Sequence, residues 1–191
     1  MEWLIIALLL LVGFGGVAYV LPSKFQRRVS QLRLEARKQG IFTSSRTIPD
    51  LDADAEDRVT SGGKVRQRED LCVVYDLSYR NPPDCPPRWQ LVRYKKSQLP
   101  IPGWLLRENQ LIGVQLSDAA YWGSVAANIA EMPAICRCVV SHDSGVSWIG
   151  TESKNAIEEG KFLQDLTASL ESLRDLNLVA SESNIEDENQ K

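Results

Sequence analysis

The strongest hydrophobic pattern in the chain lies at its start. Residues 3–21 (WLIIALLLLVGFGGVAYVL) form an uninterrupted run of uncharged, almost wholly apolar residues. A helix of this length reaches about 28 Å, close to the roughly 30 Å hydrocarbon thickness of a bilayer. Trp3 and Tyr19 fall near the two ends of the run, where aromatic rings prefer the membrane interface. The pattern predicts an N-terminal transmembrane helix over residues 3–21.

A cleaved signal peptide is the alternative interpretation of this run, since residues 16–18 (GVA) would suit a cleavage site. A signal peptide begins with a basic region, however, and only Met1 and Glu2 precede the apolar residues. Six cations follow the run within residues 24–38, against one acid. The positive-inside rule keeps such a flank in the cytoplasm. We therefore expect a single-pass membrane protein, with its N-terminus outside and a cytoplasmic C-terminal domain.

Residues 24–39 have the spacing of an amphipathic helix. Their apolar positions fall on one stripe, and Gly40 suits the position just after a helix end. Cations fill much of the remaining surface, which predicts a basic juxtamembrane helix. Such a helix can contact anionic lipids, and four side chains are the candidates: Lys24, Arg27, Arg28 and Arg33. We favour the alternative that the cations mainly set topology, while the following domain covers the apolar stripe.

Residues 41–48 predict a short strand, and residues 49–69 predict a charged linker. The linker begins with five carboxylates in residues 49–57, which invites a calcium site. An EF-hand loop needs a central glycine and a glutamate at its twelfth position. The first glycine comes only at Gly62, and the twelfth residue counted from Asp50 is Ser61. We therefore interpret these acids as a solvated segment.

A small α+β domain is predicted over residues 70–178. Residues 71–79 alternate as in a half-buried strand, and residues 88–96 predict a returning strand, with a short helix as the alternative. Another strand is expected around residues 112–116. The remaining predicted elements are a helix capped by Ser117 or Asp118 and running to Glu131, a hairpin over 134–150, a helix over 155–178 with a leucine stripe, and a disordered acidic tail over 180–191.

Overall composition adds little to this picture. The chain is 43% apolar and 25% charged, with a formal net charge of −3. A near-neutral total gives no reason to expect nucleic acid as a partner, although cations and aromatic residues alternate within residues 88–96. Phosphate-binding and dinucleotide-binding glycine motifs are absent from the sequence, so no cofactor or small-molecule substrate is indicated.

The one histidine lies within a sequence that superficially suggests hydrolysis. His142, Asp143 and Ser144 are the residue types of a catalytic triad, but they are consecutive. A triad needs side chains that converge from separate segments, whereas neighbours in a tight turn point apart. Asp, Ser and the following Gly145 also favour a hairpin turn. We predict a turn and no catalytic residues.

Four cysteines raise the question of metal binding. Structural zinc sites pair ligands two to four residues apart, whereas Cys136 and Cys138 are separated by one residue, which places both on one face of a strand. Cys72 would approach this pair if the first strands flank the last hairpin, while Cys85 lies in a proline-rich loop. We favour buried thiols in a reducing cytoplasm, and keep Cys72, Cys136 and Cys138 as the metal alternative.

Two resemblances follow from short motifs. Residues 21–23 (LPS), 27–28 (RR) and 32–37 (LRLEAR) resemble small single-pass inner-membrane proteins of proteobacteria. The layout and residues 57–63 (DRVTSGG) are loosely similar to the small accessory subunit of the Sec translocase. The resemblance to the proteobacterial proteins implies a location in the bacterial inner (cell) membrane. The membrane anchor, joined to a domain without a credible catalytic site, predicts a membrane-anchored cytoplasmic interaction or scaffold module, accessory to a membrane complex, that binds the bilayer and another membrane or cytoplasmic protein. The alternative is a membrane-tethered enzyme or thiol/metal protein using Cys136 and Cys138.

Overall fold

The computed structural model describes residues 22–54, 66–107, 111–158 and 160–189, together with Trp3. Four helices occur in these ranges: α1 (Lys24–Lys38), α2 (Ala119–Glu131), α3 (Lys154–Glu158) and α4 (Phe162–Asn189). Seven strands occur in them: β1 (Ile41–Pro49), β2 (Glu69–Ser78), β3 (Trp89–Arg93), β4 (Pro100–Ile101), β5 (Trp104–Leu106), β6 (Cys136–His142) and β7 (Gly145–Gly150). The mixed α+β content agrees with the sequence.

The seven strands form one antiparallel sheet in the order β1-β2-β7-β6-β3-β5-β4. The β6–β7 hairpin therefore lies in the middle, with β2 on one side and β3 on the other. The strand predicted to return along β2 is β3, which pairs instead with β6 and β5. The strand expected around residues 112–116 is reduced to an isolated bridge between Arg88 and Ile112.

The two faces of the sheet are both partly buried. On one face Tyr75, Trp89 and Trp148 join the main core with the buried side chains of α2 and α4. On the other face Cys72 and Val74 join a smaller apolar cluster. The prediction that β2 is half-buried was wrong, because both of its faces carry buried side chains.

Helix α1 and strand β1 belong to the folded unit, which was predicted to begin only at residue 70. Ser23 caps α1 in a capping box with Gln26, and Gly40 follows its end with a φ of 81°. The helix ends at Lys38, and Ala36 in its apolar stripe is fully buried in the main core. Burial by the domain is thus the role that the stripe plays in the described residues.

The segment predicted as a linker over residues 49–69 is only partly described. Its two ends are paired, because Pro49 lies in β1 opposite Glu69 in β2. Asp52 is also fixed, since its carboxylate accepts a hydrogen bond from the Lys95 backbone N–H at 3.0 Å. Residues 55–65, which include the whole motif compared with the Sec subunit, lie outside the described residues.

The C-terminal helical region divides at Gly160, whose φ of +72° ends the short α3 before α4 begins. The predicted leucine stripe is confirmed, because all four side chains are buried: Leu163, Leu166, Leu170 and Leu173. α4 continues to Asn189, through most of the range in which a disordered tail was predicted.

The transmembrane prediction needs correction. Apart from Trp3, residues 3–21 lie outside the described residues. Among the residues that are described, no helix combines the length and the apolar composition that crossing a bilayer requires. α4 is long enough with its 28 residues, but acidic side chains recur along it. This finding corrects the predicted single-pass architecture and, with it, the inner-membrane location with the N-terminus outside.

Candidate functional site

The central hairpin brings a polar cluster together at one end of the sheet. The turn between β6 and β7 approaches β2 so closely that a Cβ on Gly145 would lie 2.2 Å from the Leu77 carbonyl oxygen. This approach places His142 Nε2 at 2.8 Å from Asp76 Oδ1, and His142 Nδ1 at 3.0 Å from Ser144 Oγ. An N–H on Nε2 donates to the Asp76 carboxylate, while Nδ1 shares a hydrogen bond with the Ser144 hydroxyl.

Ser147 completes this cluster by donating a hydrogen bond from its hydroxyl to Asp76 Oδ1 at 2.6 Å. Burial by itself raises the pKa of Asp76, but the hydrogen bonds from His142 and Ser147 outweigh burial and the pKa is lowered. Asp76 is therefore ionised at neutral pH and binds β2 to both strands of the hairpin.

The cluster contains the residue types of a hydrolase triad, although not the three consecutive residues considered from sequence. Asp143 turns away and pairs with Arg88 at 2.9 Å, while Ser144 returns to His142. The carboxylate comes instead from Asp76, on a different strand. Its evident effect is to hold three strands together. A groove elsewhere among the described residues is lined by other side chains.

That groove has a volume of about 410 Å³ and carries charges of both signs. Its charged lining residues are Asp50, Asp52, Arg93, Lys95 and Arg137. Several of these groups are already engaged within the protein. Arg137 lies 3.3 Å from Asp70, and Asp52 accepts from the Lys95 backbone. The groove therefore offers no clear preference for an anionic or a cationic ligand.

The cysteines are divided between the two faces of the sheet. An irregularity in the β6–β7 register falls between Cys136 and Cys138, so Cys136 lies in the main core and Cys138 in the smaller cluster with Cys72. The prediction that Cys136 and Cys138 share one face of the strand was wrong, because the bulge between them turns their side chains to opposite faces of the sheet. Cys72 does approach Cys138, as the flanking of the hairpin by β2 and β3 allows.

These buried thiols are poorly suited to chemistry. Burial raises the pKa of Cys138 to about 11, and it also raises the pKa of Cys72 and of Cys136. The thiolate is the form that attacks electrophiles and binds metals, and it is scarce at neutral pH in such surroundings. Within the described ranges no three His, Cys, Asp or Glu side chains are grouped as a metal site requires.

The four cations proposed for lipid contact have different surroundings. Lys24, Arg27 and Arg28 lie on the exposed side of α1. Arg33 instead forms a two-pronged ion pair with Glu152, at 2.9 Å and 2.6 Å, and Tyr75 donates to the same carboxylate at 2.6 Å. The hydrogen bond to Glu152 raises the pKa of Arg33. Burial, followed by the hydrogen bond to Glu152, raises the pKa of Tyr75. Arg33 therefore anchors α1 to the sheet.

The outer edge of β1 is the feature most suited to binding a macromolecule. β1 pairs with β2 over nine consecutive positions without a bulge. In the part of the chain that the structure describes, no strand pairs with its other edge. Residues 44–47 are all exposed, and Phe42 presents 58% of its surface to solvent. A long edge of this kind is a ready template for another strand.

Comparisons with known proteins do not add to this picture. No family model, no curated protein and no solved structure matches the chain. The resemblances drawn from the N-terminal motifs therefore stay untested predictions, and the geometry above is what supports a function.

Sequence reasoning found some of these residues and missed others. It identified the turn after His142 and the basic helix, but it missed Asp76, Glu152 and the open edge of β1. The sequence shows Asp76 as a carboxylate within an alternating strand. This pattern alone does not indicate which side chains it will bind. Glu152 is 119 residues from Arg33, so no local pattern connects them.

Proposed function

We propose that this chain is a non-enzymatic interaction module that binds another protein strand along the free edge of β1. The observation that carries the proposal is the unbulged, nine-residue pairing of β1 with β2, with no described strand on its other side. An added strand would satisfy the outward N–H and C=O groups of β1, which is how edge-strand recognition supplies affinity.

The alternative chemistry of the chain has weaker support. The buried thiols have raised pKa values, and Asp76 and His142 are engaged in hydrogen bonds that hold neighbouring strands together. By contrast, β1 presents polar and apolar side chains on an accessible strand. Binding is therefore better supported than catalysis.

Site-specific photocrosslinking in the cells that naturally produce the chain tests this proposal. Benzoylphenylalanine replaces Ser45, in the middle of the exposed edge, and in a matched variant it replaces Glu171, an exposed residue of α4. We expect a discrete light-dependent adduct from position 45 and none from position 171. Absence of an adduct at position 45 in a folded, expressed variant would overturn the proposal.

A further inference from the structure

The hydrogen bonds next to β1 define which of its backbone groups face outward. The Asp50 N–H donates to the Arg68 carbonyl at 2.8 Å, so residue 50 faces β2. On the far side of β2, the Tyr79 N–H donates to the Ser144 carbonyl at 2.8 Å, which gives the same alternation along β2. The backbone N–H and C=O groups of successive residues point to alternate sides of a strand. Those of residues 42, 44, 46 and 48 therefore point toward β2. The outward-facing residues are therefore Ile41, Thr43, Ser45, Thr47 and Pro49.

Pro49 occupies an outward position of β1, where the missing N–H removes no hydrogen bond to β2. Pro49 has no N–H, and at this position an N–H would point away from β2. The β1–β2 ladder is therefore intact up to Pro49 and continues at Asp50. Prolines in sheets are confined to such edge positions.

The outward residues of one copy of β1 can pair with the same residues of a second copy. When two copies of β1 run antiparallel with Ser45 opposite Ser45, Thr43 faces Thr47 and Ile41 faces Pro49. All five outward positions then meet outward positions, which allows about eight hydrogen bonds between the copies. Centring the pairing on Thr43 or Thr47 instead leaves part of the edge without a partner.

Side chains agree with the same register. Phe42 lies opposite Ile48 of the other copy, an aromatic and β-branched pair of the kind that stabilises neighbouring strands. Arg46, the one charged residue in the strand, lies opposite Ser44, so no like charges meet. Pairing would also cover part of Phe42, which is largely exposed in the single chain.

We propose that β1 pairs with β1 of a second copy about a two-fold axis through Ser45. The two sheets then form one continuous antiparallel sheet with seven strands from each copy. The axis is normal to the sheet, so the helices of both copies lie on the same side. This proposal rests on the proposed function and names the partner strand as β1 of a second copy. In a two-fold interface the same strand contributes both sides, and here all five outward positions find partners.

Cysteine crosslinking of the purified full chain tests the register directly. The background variant is Cys85→Ser, because Cys85 is the exposed native thiol. Opposed hydrogen-bonded residues have Cα atoms about 5.5 Å apart, which suits a disulfide. Ser45→Cys is therefore expected to form a disulfide dimer under mild oxidation.

Matched controls use the neighbouring outward positions. In Thr43→Cys alone, or Thr47→Cys alone, the equivalent Cα atoms of the two copies would lie about 14 Å apart, too far for a disulfide. A mixture of these two variants is expected to crosslink, since Thr43 faces Thr47. Equal crosslinking of all three single variants, or none of Ser45→Cys, would overturn the register.

A charge exchange gives a second measurement by sedimentation. The unmodified chain of 21.4 kDa is expected to sediment with twice that mass. Ser45→Lys and Ser45→Glu place like charges across the axis, so each alone weakens self-association by about fivefold, and their mixture recovers it. If the chain stays monomeric at about 100 μM, the proposed pairing of β1 with β1 of a second copy is wrong.

The two proposals fail in different ways. A position-45 photoadduct that contains a different protein, together with a monomeric purified chain, supports edge binding and overturns self-pairing. An adduct of twice the chain mass supports both. No adduct and no self-association overturn both.

Discussion

The sheet ends in a nine-residue strand on one side and in a two-residue strand on the other. β1 runs without interruption from Ile41 to Pro49, whereas β4 consists of Pro100 and Ile101. Short strands and prolines are the devices by which proteins prevent further strands from adding to an edge. The β4 edge is thus poorly suited to pairing, while β1 has a long edge with no partner strand among the described residues. This asymmetry supports the proposed binding at the β1 edge.

The structures that support the two edges differ as well. Beside β1, helix α1 is held by the ion pair between Arg33 and the nearly buried Glu152, together with Tyr75. Next to β4, the guanidinium of Arg93 lies 5.4 Å from the ring centre of Trp104. Removing one partner of a buried, hydrogen-bonded ion pair costs more stability than removing an exposed cation–π contact. The comparison predicts a ranking of mutational effects.

The largest effect is expected at the support of the β1 edge. Glu152→Ala leaves Arg33 and the Tyr75 hydroxyl without their common acceptor. Because Glu152 is 7% exposed but Arg33 is 39% exposed, we expect the free energy of unfolding to fall by about 2–3 kcal/mol. Urea denaturation measures this change.

Asp143→Ala is the matched control for that variant. It removes an ion pair with Arg88 whose side chains are 68% and 42% exposed. Exposed pairs contribute little, so the expected loss is below about 1 kcal/mol. Equal losses in the two variants would contradict the assignment of Glu152 as an anchor.

Local elements were largely predictable from sequence, because their signals are local. The capping residues and apolar spacing defined α1 and α2 to within a residue or two, and the leucine stripe marked the core side of α4. The break at Gly160 was not predicted, since the apolar pattern continues across it. The order of the strands could not be predicted, because β3 pairs with β6 across more than forty intervening residues.

The candidate binding site at the β1 edge could not be predicted either, because it too depends on pairing between residues far apart in the sequence. Residues 41–48 predict a strand, but nothing in them shows that the strand will lie at an edge. That property depends on where the other strands pair: β7 adds to the far side of β2, and no described strand adds beside β1. Likewise, the face on which Cys136 lies depends on a bulge in the β6–β7 register, which the residue spacing does not reveal.

An intermediate, pH-dependent effect is expected at Asp76, which lies opposite Phe42 of β1. The folded-state pKa of Asp76 is lowered, so its contribution to stability is present above the unfolded value of about 3.9 and is lost as pH falls through the folded pKa. Asp76→Asn should cost about 1–2 kcal/mol at pH 7, and the difference from the unmodified chain should shrink below about pH 4. Urea denaturation between pH 7 and pH 2.5 measures it. A difference that stays constant with pH would show that the carboxylate charge is not what stabilises the cluster.

The smallest effect is expected beside the closed edge. Arg93→Ala removes the cation above Trp104, and because Arg93 is exposed the expected loss is about 0.5–1 kcal/mol by urea denaturation. Arg93→Lys keeps the positive charge and should lose less than the alanine variant. If Arg93→Ala cost more than Glu152→Ala, the closed edge would be the better supported one. The contrast between the two edges would then rest on strand length alone.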